Sequence, residues 1–538
     1  MTDSDLLKIT IDGVEYEVPK GHTIMETLDA LGLLMNGVDI PHYCWHPKLS
    51  VGGSCRLCQV EVEGAPKLQI GCNTPVNDGM VIHTNTPRVK SARENVMELL
   101  LLSHPLDCPI CDQAGECQLQ DYAFEYGRAQ SRSVEPRSAL KKRVDLGPTI
   151  VFDQERCILC RRCVRFCREV AGTGELAVFG RGDLSVIDTF PGGQVDNPYS
   201  LNVVDICPVG AMTSKDFRFK IRSWYLKNVP GICPGCAKGC NIQIGVAGGK
   251  VYRYVPRRND GVNGAWMCDA GRLSYKEIGR VDRLQEPSVR GQDGVLEARP
   301  YASAIEAAAA LLGQLRDSKG AGVIAGVAST HASNEDLFML KRLLAALGTE
   351  ASGVAVIRGD GDALLVEEEK GANAAGARAL GFADASGVVD RLRGGGVDGL
   401  VILGHDLLDA AYLGGAEALE KLAVVIAIDT HHSDLERAAS VVFPARHAAE
   451  KLGTFTNCDG RVQRVQPALE PAFEVRDEGE ILANLGEALL LEGFDRHYDV
   501  REVSKQLSQE VSAFAGIDLE TVGDEGCELA EQSSGAGS

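Results

Sequence analysis

Eighteen cysteines are the main source of chemistry in this 538-residue chain. Sixteen lie between Cys44 and Cys268, and only Cys458 and Cys527 follow. The start, MTDSDLLKIT, has no export signal, so the cysteines point to metal or redox work rather than to disulfides. Cys44, Cys55, Cys58 and Cys72 form a first group of four thiolates. They suit a [2Fe-2S] cluster, with a four-thiolate zinc site as the alternative. Gly52 and Gly53 permit close backbone approach there. Cys108, Cys111 and Cys117 form a second group that lacks a fourth ligand. His104, Asp107 and Asp112 are the nearby candidates. An imidazole would remove one negative charge and raise a cluster's potential, although a lone His also serves as a packing residue. Cys157, Cys160, Cys163 and Cys167 form the most specific group. Such a run gives three ligands to one [4Fe-4S] cluster while its last Cys serves another. Cys207-Pro208 fits as the fourth ligand of the first. A second run would need Cys at 203, 200 and 197, where this chain has Val203, Ser200 and Asn197. One cluster is therefore expected on Cys157, Cys160, Cys163 and Cys207. The other is lost, leaving Cys167 buried and inert. Cys233, Cys236, Cys240 and Cys268 form the last group, open to [4Fe-4S] or zinc.

The elements that must hold these groups are partly legible. Ile9 and Ile11 alternate with polar residues, Asp12-Gly13 turns the chain, and Val14, Tyr16 and Val18 alternate back, which predicts a hairpin. Thr23 and Glu26 have the spacing of a capping box. A hairpin, a short helix and a Cys-bearing loop fit a β-grasp ferredoxin. Residues 89–127 are predicted helical, and residues 128–155 a basic connector. Beyond about residue 275 the composition turns to Ala, Gly, Leu and Val. Gly322–Val327, Gly399–Leu403 and Ala423–Ile428 are predicted buried strands, with helices at Asn334–Leu347 and Ala416–Leu422. This alternation predicts an α/β region with a parallel sheet. Gly394, Gly396 and Gly399 match a dinucleotide-binding glycine pattern but precede a strand, so they fail its context.

The formal net charge of −20 argues against nucleic-acid binding. No run is long and apolar enough to span a membrane, so a soluble, cytoplasmic chain is expected. Arg161, Arg162, Arg165 and Arg168 surround the third group. They can offset cluster charge, face a partner, or form a solvated face.

The segments IPHYCWHPKLSVGGSCRLCQVEVEG, HPLDCPICDQAGECQLQDYAFEYG, CILCRRCVRFCREV and CPGCAKGC resemble the large iron–sulfur subunits of bacterial respiratory complex I, NADH:quinone oxidoreductase. The resemblance covers residues 1–275. Residues 276–538 more weakly resemble the molybdopterin oxidoreductases, most clearly at Glu450–Asn457. That region is shortened, and no suitably placed Cys remains for molybdenum. The resemblance implies that His104 ligates its cluster and that the last group holds a [4Fe-4S] cluster lying off the main electron path.

The expected architecture is multidomain α/β and α+β. It comprises a β-grasp [2Fe-2S] ferredoxin domain (1–85), a His/Cys-ligated [4Fe-4S] helical module (86–150), and a bacterial-ferredoxin-like [4Fe-4S] module with a degenerate second site (151–220). A [4Fe-4S] domain of molybdopterin-oxidoreductase type (221–277), a truncated molybdopterin-oxidoreductase-like α/β domain without molybdenum (278–520) and a flexible tail (521–538) follow. The implied function is one-electron relay through one [2Fe-2S] and three [4Fe-4S] clusters, with no substrate site on this chain. FMN and NADH are expected on a partner subunit and quinone beyond further subunits, at the cytoplasmic side of the bacterial inner membrane. The alternative is the large subunit of an NAD-linked molybdenum formate dehydrogenase. The degenerate second run and the short C-terminal region argue against it.

Overall fold

The alternating residues at the start do form a hairpin. In a computed structural model describing residues 6–530, apart from Met35, Glu135, Ser138 and Arg496, β1 (Leu6–Ile11) pairs antiparallel with β2 (Val14–Pro19). Asp12 and Gly13 take φ of 48° and 87°, as a tight hairpin turn requires. Thr23 caps α1 (Ile24–Ala30), and its capping box with Glu26 is present. β3 (Gln59–Val62), β4 (Gln69–Ile70) and β5 (Val81–His83) complete a five-stranded sheet of order β2-β1-β5-β3-β4. The β1–β5 pair is parallel. Ile24, Met25 and Leu28 of α1 join the same core as Ile9, Ile11 and Val18. The two loops that carry the first cysteine group leave this sheet.

The stretch predicted as helix over 89–127 is two helices, α2 (Pro87–Leu101) and α3 (Gln118–Tyr126). The chain leaves the helix before His104-Pro105, where the proline disfavours helical backbone in the residue before it. The second cysteine group occupies the gap. The end of the connector pairs as β6 (Val144–Asp145) and β7 (Ile150–Phe152). Then come α4 (Arg162–Glu169), the pair β8 (Leu176–Phe179) and β9 (Val186–Thr189), α5 (Asn202–Asp205), and β10 (Met212–Ser214) against β7. This compact unit ends at Leu226, slightly beyond the expected boundary at 220.

The second unit, Lys227–Ser538, opens with a three-stranded antiparallel sheet, β11 (Lys227–Ile232), β12 (Asn241–Ala247) and β13 (Lys250–Pro256), followed by α6 (Asp269–Leu273). Its main sheet has eight strands: β14 (Ser288–Arg290), β15 (Leu296–Ala298), β16 (Ile324–Ser329), β17 (Ser352–Ala355), β18 (Ala383–Asp384), β19 (Gly399–Leu403), β20 (Val424–Asp429) and β21 (Val441–Pro444). The order is β15-β14-β21-β20-β19-β16-β17-β18. The six strands from β21 to β18 run parallel, and β14 and β15 add an antiparallel edge. Successive side chains enter opposite cores: Val401, Leu403, Ile426 and Ile428 pack on one face, Leu400, Ile402, Val425 and Ala427 on the other. Burial on both faces explains the near-continuous apolar strands.

The predicted helix Asn334–Leu347 forms as read. Ala416–Leu422 does not; only a single tight turn, Leu419–Lys421, is helical. The glycine pattern ends where β19 begins. A Cβ on Gly399 would stand 2.5 Å from Leu315 Cδ2, so this glycine serves packing. The expected tail begins with ordered pairing instead: Cys527–Glu528 adds a third strand to the antiparallel pair Gly453–Thr456 and Arg461–Val465. Val522 is fully buried. The rest of the tail, 531–538, lies outside the described residues. No helix of the described residues is long and apolar enough to cross a membrane.

Candidate metal centres

The first group closes into one buried site. Cys44, Cys55, Cys58 and Cys72 are all buried. Hydrogen bonds from the Cys55 and Cys72 thiols hold Cys44 far below the usual thiol range. Cys58 also meets Cys72 and is likewise drawn down. The loop turns inward through positive φ at Gly53 and Arg56, both 58°. Arg56 adopts this sparsely populated geometry without being glycine, which places backbone strain at the site.

The second group gathers Cys108, Cys111 and Cys117, with Cys108 exposed and the other two buried. Burial pushes Cys117 up to about 11, with Cys111 and Cys108 adding to the rise. The three candidate fourth ligands now differ. Asp107 accepts from Arg156 at 2.7 Å and from Lys142 at 3.2 Å. Asp112 accepts the Phe219 N–H at 2.9 Å. His104 keeps a buried ring Nδ1 with no hydrogen-bond partner among the described residues. Burial lowers its pKa to about 4, leaving it in the neutral form that binds metals. Opposite, a Cβ on Gly210 would stand 2.2 Å from Cys111 Sγ. Only a glycine leaves room for the sulfur there.

The third group is joined across the fold. Cys157, Cys160, Cys163 and Cys207 line one largely apolar pocket with Phe152, Ile187 and Met212. Burial raises all four thiols, Cys163 well above its usual value and Cys207 to about 11. Buried thiolates need a cationic core to be stable, so this donor set fits a metal cluster. Leu159 and Arg161, in the intervals between these cysteines, take positive φ of 53° and 62°. The site of the lost second run is filled in. Asn197 donates to Glu175, Ser200 Oγ lies 2.7 Å from Thr149 Oγ1, and Val203 is fully buried. Cys167 is fully buried and does not line the pocket.

The fourth group, in the second unit, brings Cys268 to Cys233, Cys236 and Cys240. Burial and the charges of the other three raise Cys240 well above the usual thiol range. Cys268 caps α6 and its Sγ accepts the Gly271 N–H at 3.3 Å. A Cβ on Gly271 would stand 2.8 Å from Cys233 Sγ and 3.3 Å from Cys268 Sγ. Among the described residues, no three His, Cys, Asp or Glu side chains are placed to hold a single metal ion. A cluster asks for ligands set around a larger core.

Sequence reasoning missed the glycine cradles at Gly210 and Gly271 and the Arg156–Asp107–Lys142 network. Gly210 has a faint signal, since it directly follows Cys207-Pro208-Val209. The network has none, because its members are far apart in the chain.

Comparison with known proteins finds matches over the segments that carry these groups. Residues 4–87 match the 2Fe-2S iron-sulfur cluster binding domain, 93–132 the NADH-ubiquinone oxidoreductase-G iron-sulfur binding region, and 147–213 the ferredoxin-like domain of NADH-quinone oxidoreductase subunit 3. Residues 226–279 match the molybdopterin oxidoreductase Fe4S4 domain, and 359–488 molybdopterin oxidoreductase. The chain is thus an iron–sulfur protein built from several cluster-binding domains. More particularly, it is similar to the G-type subunit of NADH-quinone oxidoreductase. It is 42% identical to that subunit of Rickettsia bellii over 343 residues, covering 64% of this chain and 49% of the relative. It is 42% identical to NADH dehydrogenase [ubiquinone] iron-sulfur protein 1, mitochondrial, of Solanum tuberosum, covering 64% and 45%. The chain matches about half the length of these relatives. A chain of a solved NAD+-reducing [NiFe]-hydrogenase is 30% identical, with a TM-score of 0.35, covering 40% of this chain and 91% of that one.

Proposed function

We propose that this chain relays single electrons within an NADH:quinone oxidoreductase, between a partner subunit that holds FMN and NADH and the subunits leading to quinone, at the cytoplasmic face of the bacterial inner membrane. The observation that supports this reading is the gathering of the cysteines of each group, with Cys72, Cys207 and Cys268 arriving from far along the chain. Cys44, Cys55, Cys58 and Cys72 would hold a [2Fe-2S] cluster. His104, Cys108, Cys111 and Cys117 would hold one [4Fe-4S] cluster, Cys157, Cys160, Cys163 and Cys207 a second, and Cys233, Cys236, Cys240 and Cys268 a third. Bound clusters supply the reversible one-electron chemistry that side chains lack. The protein's own residues exclude water, fix the thiolates, and set the surrounding charge. His104 is favoured over Asp107 and Asp112 because both carboxylates already have partners while its Nδ1 has none among the described residues.

The test is iron and sulfide analysis of anaerobically purified chain, with an electron paramagnetic resonance spectrum after reduction. About 14 Fe per chain is expected from the four cluster types, without molybdenum. Stoichiometric molybdenum would move the assignment to formate oxidation. Zinc in place of iron would overturn it.

A further inference from the structure

Two of the four arginines around the third group are buried. Arg162 and Arg165 are each 6% exposed, whereas Arg161 and Arg168 face solvent. Neither buried guanidinium is paired with a carboxylate among the described residues. Arg162 Nη2 donates to the carbonyl of Trp45 at 2.6 Å, and its Nη1 to the carbonyl of Ile206 at 3.2 Å. Each carbonyl lies beside a ligand cysteine: Trp45 follows Cys44, and Ile206 precedes Cys207. Arg165 donates to the carbonyls of Cys44 and Ser50. Glu169 accepts the Ser50 N–H at 2.9 Å and its hydroxyl at 2.7 Å. Residues 162, 165 and 169 fall on one face of α4. That face clamps the loop of the first cysteine group onto the helix that carries Cys163. Gly52 allows the approach, since a Cβ there would stand 3.2 Å from Arg165 Nη2 and 3.4 Å from Cys44 Cβ.

A buried charge without a counter-charge is costly. Carbonyl dipoles alone do not neutralise two guanidinium groups. Arg162 lies within electrostatic reach of Cys160 and Cys207 from the third group and of Cys44 and Cys55 from the first. Four thiolates outweigh the charge of an iron–sulfur core, so each filled centre is net negative and supplies the missing counter-charge.

We propose that Arg162, supported by Arg165, is a positioning residue shared by the first and third cysteine centres, and that its buried positive charge raises the reduction potential of both. Each centre becomes more negative on reduction, and a fixed cation favours that form. This rests on the cluster assignment above. Arg161, next in the chain but exposed, has no such effect because water screens it.

The experiment is a redox titration followed by electron paramagnetic resonance on the anaerobically purified full chain, with iron analysis on each sample. Arg162→Gln is expected to keep its iron and lower the reduction equilibrium of both centres about tenfold, about 59 mV for a one-electron couple. Arg162→Lys keeps the charge and should leave both potentials near wild type, as should Arg161→Gln. Unmoved potentials in iron-replete Arg162→Gln would overturn the inference. So would an Arg162→Lys shift as large as that of Arg162→Gln. If Arg162→Gln holds no iron, Arg162→Lys decides: wild-type potentials support the inference and lowered ones overturn it. A wild-type chain without iron would instead overturn the cluster assignment itself.

Discussion

Cys163 and Cys167 sit one helical turn apart on α4 and have different fates. Cys163 faces the pocket shared with Cys157, Cys160 and Cys207, while Cys167 packs outside it. Spacing alone would make both of them cluster ligands, Cys167 of a second cluster. They are separated by the identity of residues 197, 200 and 203, which no longer offer a second site. Cys163→Ala is therefore expected to lose about 4 Fe, one [4Fe-4S] cluster. Cys167→Ala should keep the full complement. Iron analysis with the reduced-state resonance spectrum distinguishes the two. Loss of a signal in Cys167→Ala would show that the degenerate site still functions.

Among the elements, turns rather than long helices shape the centres. The cysteine loops carry residues at positive φ, and glycines stand where a sulfur needs the space of a missing Cβ. At Gly210 the clearance is smallest. A methyl group there would lie 2.2 Å from Cys111 Sγ and 3.0 Å from Gln113 Cβ. No rotamer of alanine relieves that contact, so the cysteine or the backbone has to move. Gly210→Ala is expected to lose the iron of the His104, Cys108, Cys111 and Cys117 centre while the [2Fe-2S] signal persists. Purified variant protein with four unchanged resonance signals would contradict this. In sequence the two helices around this group read as one. The apolar run Val96–Leu102 leads into His104-Pro105, and the break depends on Pro105 and on the loop that the cysteines fold into.

Across each whole unit, the ties span large sequence distances. The segment Glu450–Asn457, singled out in the sequence, knots the second unit together. Lys451, only 2% exposed, donates to Asp336 at 3.0 Å and also to Glu478. The Thr454 N–H reaches Glu335 at 2.8 Å, and the Thr456 N–H reaches Asn373 at 2.7 Å. Arg283 pairs with Glu450 at 2.9 Å. Removing the ammonium group leaves two buried carboxylates facing each other. Lys451→Met is expected to destabilise the second unit by about 3–5 kcal/mol, the usual cost of breaking a buried ion pair from one side. Guanidinium unfolding of the full chain followed by circular dichroism measures it. The iron content of the first unit's three centres should not change. A midpoint within error of wild type would mean that the carboxylates are protonated or hydrated without cost.

Residue type and spacing were enough to name the possible ligands and to show which of them are near neighbours. Cys157, Cys160 and Cys163 are three residues apart, and a chain that short has few ways to place its sulfurs. The first hairpin, the capping box at Thr23 and the strand Gly399–Leu403 were legible for the same reason: local geometry and burial on one or both faces set their pattern. Tertiary structure decided what closes each site. It brought Cys207 and Cys268 to their groups, engaged Asp107 and Asp112 elsewhere while leaving His104 Nδ1 unpartnered, and split the four arginines into two buried and two exposed. Those outcomes depend on which distant surfaces pack together. Residue type and spacing carry no record of that, because side chains with the same local pattern can face either a neighbouring loop or water.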